Sequence, residues 1–163
     1  MCKLISLDAS TTCTGVCIYT NENYKESFIL ETNKKIKGEE KLDQMIDLII
    51  SCLKNENPDI IVCEKIVSVR NAVTTRMLQE LTGAIRGYCI EHHIYYQCVA
   101  PTSWRSIITK EMMQKPNSRK REEQKIWALD IVNNKLGIET KNTDEAEAIL
   151  IGRSYIKEKG GSN

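Results

Sequence analysis

Short apolar runs alternate with longer amphipathic stretches along this chain. The apolar runs predict five strands, at residues 3–8, 14–20, 26–32, 60–64 and 95–99. Polar turn residues separate the first three strands, which predicts an antiparallel meander. The fourth run is apolar from Ile60 until its last residue, Glu64, and such continuous apolarity is typical of a buried parallel strand.

The amphipathic stretches predict helices. Between residues 41 and 55 the apolar positions recur with the 3.6-residue period of a helix, at Leu42, Met45, Ile46, Ile49, Ile50 and Leu53. Further helices are predicted at 71–91, at 101–108, at 119–135 closed by Gly137, and at 143–157. Trp104 and Trp127 occupy helical positions, and we expect both in the core.

The order of these elements predicts an α/β fold. Three antiparallel strands followed by helical crossovers give a mixed five-stranded sheet with helices on both faces. No internal repeat or linker divides the chain, so we expect one domain at residues 1–157 and a disordered tail at 158–163.

Composition narrows the class of protein. The 163 residues suit a single core, and no stretch approaches the roughly 20 apolar residues that a bilayer span needs. The N-terminus shows no signal-peptide pattern, so we expect a cytoplasmic protein with no membrane partner. The seven cysteines form no CxxC motif and no zinc-ligand spacing, which predicts reduced thiols used for packing.

The net charge of +1 conceals an uneven distribution of charges. Between residues 105 and 125 lie seven basic and three acidic side chains, and residues 65–86 hold four basic side chains against Glu80 alone. Basic stretches of this kind fit a polyanionic partner. The alternative is that they merely solvate helix faces.

Four carboxylates occupy positions where sites form. Asp8 and Glu64 each end an apolar strand, and sites in α/β sheets lie outside the carboxyl ends of parallel strands. If the first and fourth strands are neighbours, these two carboxylates face the same small volume. Asp144 and Glu147 are three residues apart at the start of the last helix and so share one face. Turn formation and helix capping are the alternative roles for these acids.

Carboxylates gathered this closely need a compensating cation. Mg²⁺ takes oxygen ligands and needs only one or two carboxylates per ion. A pair of such ions can activate a water and stabilise the leaving oxygen of a phosphodiester. We therefore expect two Mg²⁺ per active site, with Mn²⁺ as a substitute, held by the catalytic residues Asp8, Glu64, Asp144 and Glu147.

The motifs around these acids resemble those of the RuvC family of Holliday-junction resolvases, within the ribonuclease H-like superfamily. Leu7-Asp8-Ala9-Ser10, followed by Thr14-Gly15, resembles the first motif, and Val62-Cys63-Glu64-Lys65 resembles the second. Asp144-Glu-Ala-Glu147-Ala148 resembles the motif of the final helix, and residues 79–87 resemble the Gly-x-x-Arg-Gly stretch. Within the family the chain looks most like the small RuvC-like branched-DNA endonucleases of lactococcal-type bacteriophages.

This resemblance implies a ribonuclease H-like fold and a Mg²⁺-dependent homodimer that nicks four-way and three-way DNA junctions in recombination and repair, in the host-cell cytoplasm if a phage encodes it. It also implies basic residues that hold DNA phosphates without reading sequence. The candidates are Lys65, Arg70, Arg76, Arg105, Lys110, Arg119 and Lys120.

Three positions depart from the family pattern. Glu147 replaces the last aspartate, and Ala9-Ser10 replaces a Pro-Gly pair. Residues 66–69 read Ile-Val-Ser-Val, where bacterial resolvases carry an aromatic wedge. The missing wedge predicts relaxed substrate choice and a weak sequence preference.

Other functions remain as alternatives. One is a non-catalytic branched-DNA-binding module that keeps the nuclease fold. Another is a nuclease of this fold that acts on RNA–DNA hybrids or single strands. The actin/hexokinase-like ATPase fold also begins with a strand ending in an acid, but it needs two such domains and about twice this length.

Overall fold

One mixed sheet organises the computed structural model, which describes residues 1–67 and 71–160. Its strands are β1 Lys3–Asp8, β2 Cys13–Thr20, β3 Asn23–Glu31, β4 Ile60–Glu64 and β5 Tyr95–Val99, in the spatial order β3-β2-β1-β4-β5. The first three strands pair antiparallel, whereas β4 runs parallel to both β1 and β5. The predicted α/β fold with a mixed five-stranded sheet is confirmed.

The helices are α1 Gly38–Glu56, α2 Ala72–Glu91, α3 Pro101–Met112, α4 Arg121–Asp130 and α5 Thr143–Gly160. A π-helical turn, Ile131–Lys135, continues α4, so the predicted helix at 119–135 begins two residues late and changes its winding at Ile131. Helix α5 extends to Gly160, three residues into the stretch predicted as a tail; residues 161–163 lie outside the described part. No helix of the described residues is long and apolar enough to span a membrane.

Alternation along the strands gives the sheet two buried faces. Ile5 and Leu7 of β1 point into a core shared with α1 and α2. Leu4 points into the opposite core, shared with α3, α4 and α5. Because side chains alternate with a period of two, Asp8 projects on the same side as Leu4. The same parity places Glu64 on the side of Val62, so both strand-end acids face the layer that holds α5.

Helix α5 packs closely against the sheet. Ser6 Oγ donates to the Ala148 carbonyl at 2.7 Å, and the Tyr19 hydroxyl donates to the Ile149 carbonyl at 2.7 Å. A Cβ atom at Gly152 would lie 2.5 Å from Ser6 Oγ, so only glycine permits this approach. The helix is buried continuously from Ala146 to Gly152, which fixes its first turn relative to the end of β1.

Candidate active site

Three of the four predicted acids meet at one point. Carboxylate oxygens of Asp8, Asp144 and Glu147 all lie within 4.8 Å of one another. Asp8 comes from the end of β1, Asp144 comes from the first turn of α5, and Glu147 follows three residues later on the same helix. Asp8 and Asp144 are partly exposed, whereas Glu147 is only 3% exposed. The cluster therefore has a buried floor and an open side.

Gly15 allows the start of α5 to approach the sheet beside β1. Gly15 of β2 is the register partner of Asp8 in the antiparallel ladder. A Cβ atom at Gly15 would lie 2.0 Å from the carbonyl oxygen of Asp144, a distance that no side chain tolerates. The first turn of α5 therefore rests directly on the backbone of β2, which sets the separation of Asp8 and Asp144.

The capping role considered for the acids of α5 belongs to another residue. Asn142 Oδ1 accepts from the backbone N–H of Asp144 at 2.8 Å and from that of Glu145 at 3.1 Å. Because an asparagine satisfies these free donors, the Asp144 carboxylate is not needed as a cap. Its side chain is thus available to the cluster.

Glu64 stands beside the cluster and is held by α3. β1 and β4 pair in register with Leu7 opposite Cys63, so Glu64 follows next to Asp8. Its Oε2 accepts from Trp104 Nε1 at 2.6 Å and lies 3.7 Å from Arg105 Nη2. β1 and β4 are neighbours, as expected, and their terminal acids lie side by side. Glu64 is nevertheless not one of the three acids whose carboxylate oxygens lie within 4.8 Å of one another.

Two cations from the helical layer are paired with the acids. Arg105 Nη2 donates to Glu147 Oε1 at 2.7 Å, and its guanidinium stacks on the Trp104 ring at 4.4 Å. Lys125 Nζ donates to Asp144 Oδ1 at 2.5 Å. Together the four carboxylates and these two cations leave a formal charge of −2 at the site.

The pKa shifts reflect this crowding. Burial, followed by the charges of Glu147, Glu64 and Asp144, raises the pKa of Asp8 well above its ordinary value. Burial also raises the pKa of Glu64, against the opposing effects of the Trp104 hydrogen bond and Arg105. Burial lowers the pKa of Lys125, but the hydrogen bond and charge of Asp144 outweigh it and raise that pKa overall. The site thus holds excess negative charge that the protein only partly offsets.

These features fit a divalent metal ion. The ligands offered are carboxylate oxygens only, which Mg²⁺ and Mn²⁺ prefer to nitrogen or sulfur donors. The residual formal charge of −2 attracts divalent cations. The open side of the cluster leaves room for water and substrate oxygens, as a catalytic rather than a structural ion requires.

The predicted DNA-binding residues are dispersed. Arg105 lies in the site itself, and Arg76 is tied to Glu39 and Glu80 by ion pairs at 3.2 and 3.5 Å. Arg70 lies outside the described residues. The remaining four candidates are exposed, namely Lys65, Lys110, Arg119 and Lys120. Of the seven, only Arg105 contacts the carboxylates in the described part of the chain.

Two site residues were not anticipated from the sequence. Trp104 is fully buried, as expected for a core residue, yet its indole N–H is the donor that holds Glu64. The sequence shows Lys125 only as part of a basic stretch. The sequence nevertheless indicates that Lys125 shares a helix face with apolar residues, because it stands three residues before Ala128 and seven before Val132. Both of these residues are buried in the structure. A lysine on the buried face of a helix requires an acidic partner.

Comparison with known proteins supports the same fold. No protein-family model and no curated sequence matches the chain. Among solved structures it is similar to T. thermophilus RuvC in complex with a Holliday junction substrate, at 12% identity and a TM-score of 0.74, covering 99% of this chain and 97% of that one. A second Thermus thermophilus RuvC structure matches at 14% identity and a TM-score of 0.71, covering 98% and 97%.

The yeast mitochondrial Holliday junction resolvase Ydc2 matches at 14% identity and a TM-score of 0.61, covering 96% of this chain and 80% of that one. At such low identities the similarity concerns the fold, and all three comparisons extend over almost the entire chain. The chain therefore has the ribonuclease H-like fold of these proteins.

Proposed function

We propose that this protein is a metal-dependent endonuclease that nicks branched DNA. The observation that carries the proposal is the meeting of Asp8, Asp144 and Glu147 within 4.8 Å at the open end of β1. The similar structures include RuvC in complex with a Holliday junction substrate and a mitochondrial Holliday junction resolvase, which supports junction DNA as the substrate class.

The four acids would hold the metal. Asp8, Asp144 and Glu147 supply the central oxygens, and Glu64 lies at the edge of the same cluster, next to Asp8. We propose two Mg²⁺ per active site, with Mn²⁺ as a substitute. When bound, such ions provide an activated water and Lewis-acid stabilisation of the leaving oxygen.

The surrounding residues position these acids before substrate arrives. Gly15 sets the distance between Asp8 and α5, and Asn142 caps α5 so that Asp144 is free. Trp104 fixes the orientation of the Glu64 carboxylate. Such fixed geometry lowers the reorganisation required during the reaction.

The finer features of the proposal follow from the sequence. We propose a homodimer of the lactococcal phage type that acts on four-way and three-way junctions, with weak sequence preference, in recombination and repair in the cytoplasm. The weak preference rests on Ile66-Val-Ser-Val69, which offers no aromatic ring to insert between bases.

A nicking assay tests the proposal. Labelled four-way, three-way and linear duplex DNA are incubated with the protein in Mg²⁺, Mn²⁺ or EDTA. We expect metal-dependent nicks near the branch points, at least 100-fold slower for Asp8→Asn, whose carboxamide cannot replace a charged ligand. The matched control is Asp43→Asn, the same chemical change at an exposed position of α1.

Two outcomes would contradict the proposal. Binding to branched DNA without cutting in any metal would instead identify a binding module with a nuclease fold. Preferential cutting of RNA–DNA hybrids or single strands would identify a nuclease of this fold with another substrate.

A further inference from the structure

Glu145 is an acid of α5 that lies outside the carboxylate cluster. Successive residues of a helix are rotated by about 100°, so its side chain leaves the helix in a different direction from those of Asp144 and Glu147. Its Oε1 accepts from Ser27 Oγ at 2.6 Å, and its Oε2 accepts from Thr140 Oγ1 at 2.7 Å. Both carboxylate oxygens therefore have partners outside the cluster.

The bond to Ser27 attaches the start of α5 to the edge of the sheet. Ser27 belongs to β3, the edge strand, and is 118 residues from Glu145 along the chain. It pairs with Cys17 of β2, whose side chain is buried in the core shared with α5. Strand β3 lies two strands away from β1, which carries Asp8. The helix is thus held from the side of the sheet opposite to β4.

The bond to Thr140 attaches Glu145 to the segment that enters α5. Asn133 of the π-helical turn holds the backbone of Thr140 by accepting from its N–H at 2.9 Å and donating to its carbonyl at 3.0 Å. Thr140 Oγ1 also accepts from the N–H of Asn142 at 3.1 Å. Because Asn142 caps α5, the same contacts support the cap that leaves Asp144 free.

These hydroxyls take the place of a cationic partner. Glu145 is half-buried, and within residues 1–67 and 71–160 it forms no ion pair. A carboxylate removed from water needs hydrogen-bond donors, and here two different parts of the chain supply them. Two short bonds from separate elements restrain the position of the helix in two directions.

We propose that Glu145 is a positioning residue of the carboxylate site, which holds the start of α5 where Asp144 and Glu147 meet Asp8. The contact at Gly15 limits how closely the helix approaches the sheet, but a steric limit does not prevent the helix from moving away. The two hydrogen bonds of Glu145 do. Mg²⁺ takes its ligand oxygens at about 2.0–2.1 Å, so a displaced helix would weaken ion binding. This inference rests on the proposed function, since it concerns the acids that would hold the metal.

Calorimetric titration with Mn²⁺ tests this role without requiring DNA cleavage. Glu145→Ala removes both hydrogen bonds. Glu145→Gln removes the charge but keeps the length of the side chain, and its amide can still bond to both hydroxyls. Glu139→Ala is the matched control, because Glu139 is an exposed acid in the segment before α5.

Loss of a residue that orients metal ligands weakens metal binding about 10- to 100-fold. We therefore expect Mn²⁺ affinity to fall at least about tenfold in Glu145→Ala and to stay within about threefold of wild type in Glu145→Gln. Glu139→Ala should bind Mn²⁺ as wild type does. In the nicking assay kcat should fall in Glu145→Ala, while KM for the junction stays within about twofold, because Glu145 contacts the protein and not the substrate.

A double-mutant cycle tests the partner on β3. Ser27→Ala alone should weaken Mn²⁺ binding, and adding Glu145→Ala to it should cost less than Glu145→Ala costs in the wild type. Fully additive losses would show that Ser27 does not act through Glu145 and would overturn the inference. Thermal unfolding checks that every variant is folded at the temperature of the titration.

Two further results would overturn the inference. A merely structural role would lower the Tm of Glu145→Ala but leave the Mn²⁺ affinity of the folded protein unchanged. An equal loss of affinity in Glu145→Gln and Glu145→Ala would show that the charge, and not the hydrogen bonding, is responsible. A wild type that binds no Mn²⁺ would overturn both proposals, whereas Mn²⁺ binding without nicking would contradict the proposed function alone.

Discussion

Replacing Lys125 with methionine would separate its charge from its packing. Lys125 and Asp144 pair at 2.5 Å, with 23% and 21% of their side chains exposed. Methionine retains an unbranched apolar side chain but leaves Asp144 beside Asp8 and Glu147 without its neighbouring cation. Any divalent ion that binds Asp144 must compete with this ammonium group, so the substitution should destabilise the metal-free protein and strengthen ion binding.

The magnitude follows from the burial of the pair. Breaking a fully buried pair costs about 3–5 kcal/mol, whereas exposed pairs contribute about 0–1 kcal/mol. The partial exposure of both side chains places this pair between these limits, and we expect the metal-free variant to lose about 2 kcal/mol of unfolding free energy. If metal binding already breaks the pair in the wild type, the same energy appears as tighter ion binding, about 30-fold in Kd.

Calorimetric titration with Mn²⁺ and thermal unfolding with or without Mg²⁺ measure both effects. We expect a lower Tm in EDTA and a larger Mg²⁺-induced rise in Tm for Lys125→Met than for wild type. Lys157→Met is the matched control, because Lys157 pairs with Glu111 at 3.3 Å while 60% exposed and outside the carboxylate cluster. An unchanged or weaker Mn²⁺ affinity in Lys125→Met would refute the idea that the lysine competes with the ion.

Three further predictions concern the same site. Gly15→Ala should slow cutting by about 100-fold or more, while circular dichroism shows that the fold is retained. The added Cβ would lie 2.0 Å from the Asp144 carbonyl oxygen and must therefore displace the start of α5. Cutting at the wild-type rate would contradict this prediction. Trp104→Phe should keep a six-membered aromatic ring but remove the indole N–H and its 2.6 Å hydrogen bond to Glu64. This change raises the pKa of Glu64 further and lowers stability by about 1–2 kcal/mol in chemical unfolding; equal stability would count against that hydrogen bond. Because the pKa of Asp8 is raised in the folded protein, the metal-free protein binds more protons than the unfolded chain, and its stability should fall as pH rises from about the ordinary value of 3.8 through the raised pKa. Asp8→Asn should weaken this pH dependence in thermal unfolding in EDTA, and an identical profile would show that another group is responsible.

Much of the fold was accessible from the sequence. The spacing of apolar residues predicted all five strands and the helices around them. Each element must bury one face, and the period at which its apolar residues recur identifies both the type of element and the buried face. The placement of Asp8 and Glu64 at strand ends was equally local, and the parallel pairing of β1 with β4 then brings those ends together. The motif spacing also pointed to Asp144 and Glu147 on one face of the last helix, where both now lie.

The partners of these acids were decided by the tertiary structure alone. Trp104 is 40 residues from Glu64, and Arg105 is 42 residues from Glu147. Sequence showed that Arg76 and Arg105 are basic, but not that one is tied to Glu39 while the other enters the carboxylate site. Likewise, Gly15 was visible as part of a motif, whereas its contact with the Asp144 carbonyl depends on how closely α5 approaches the sheet. Local periodicity predicts the face of its own helix or strand on which a side chain lies. The residues that this side chain contacts depend on how elements distant in sequence pack together, and local periodicity does not determine that packing.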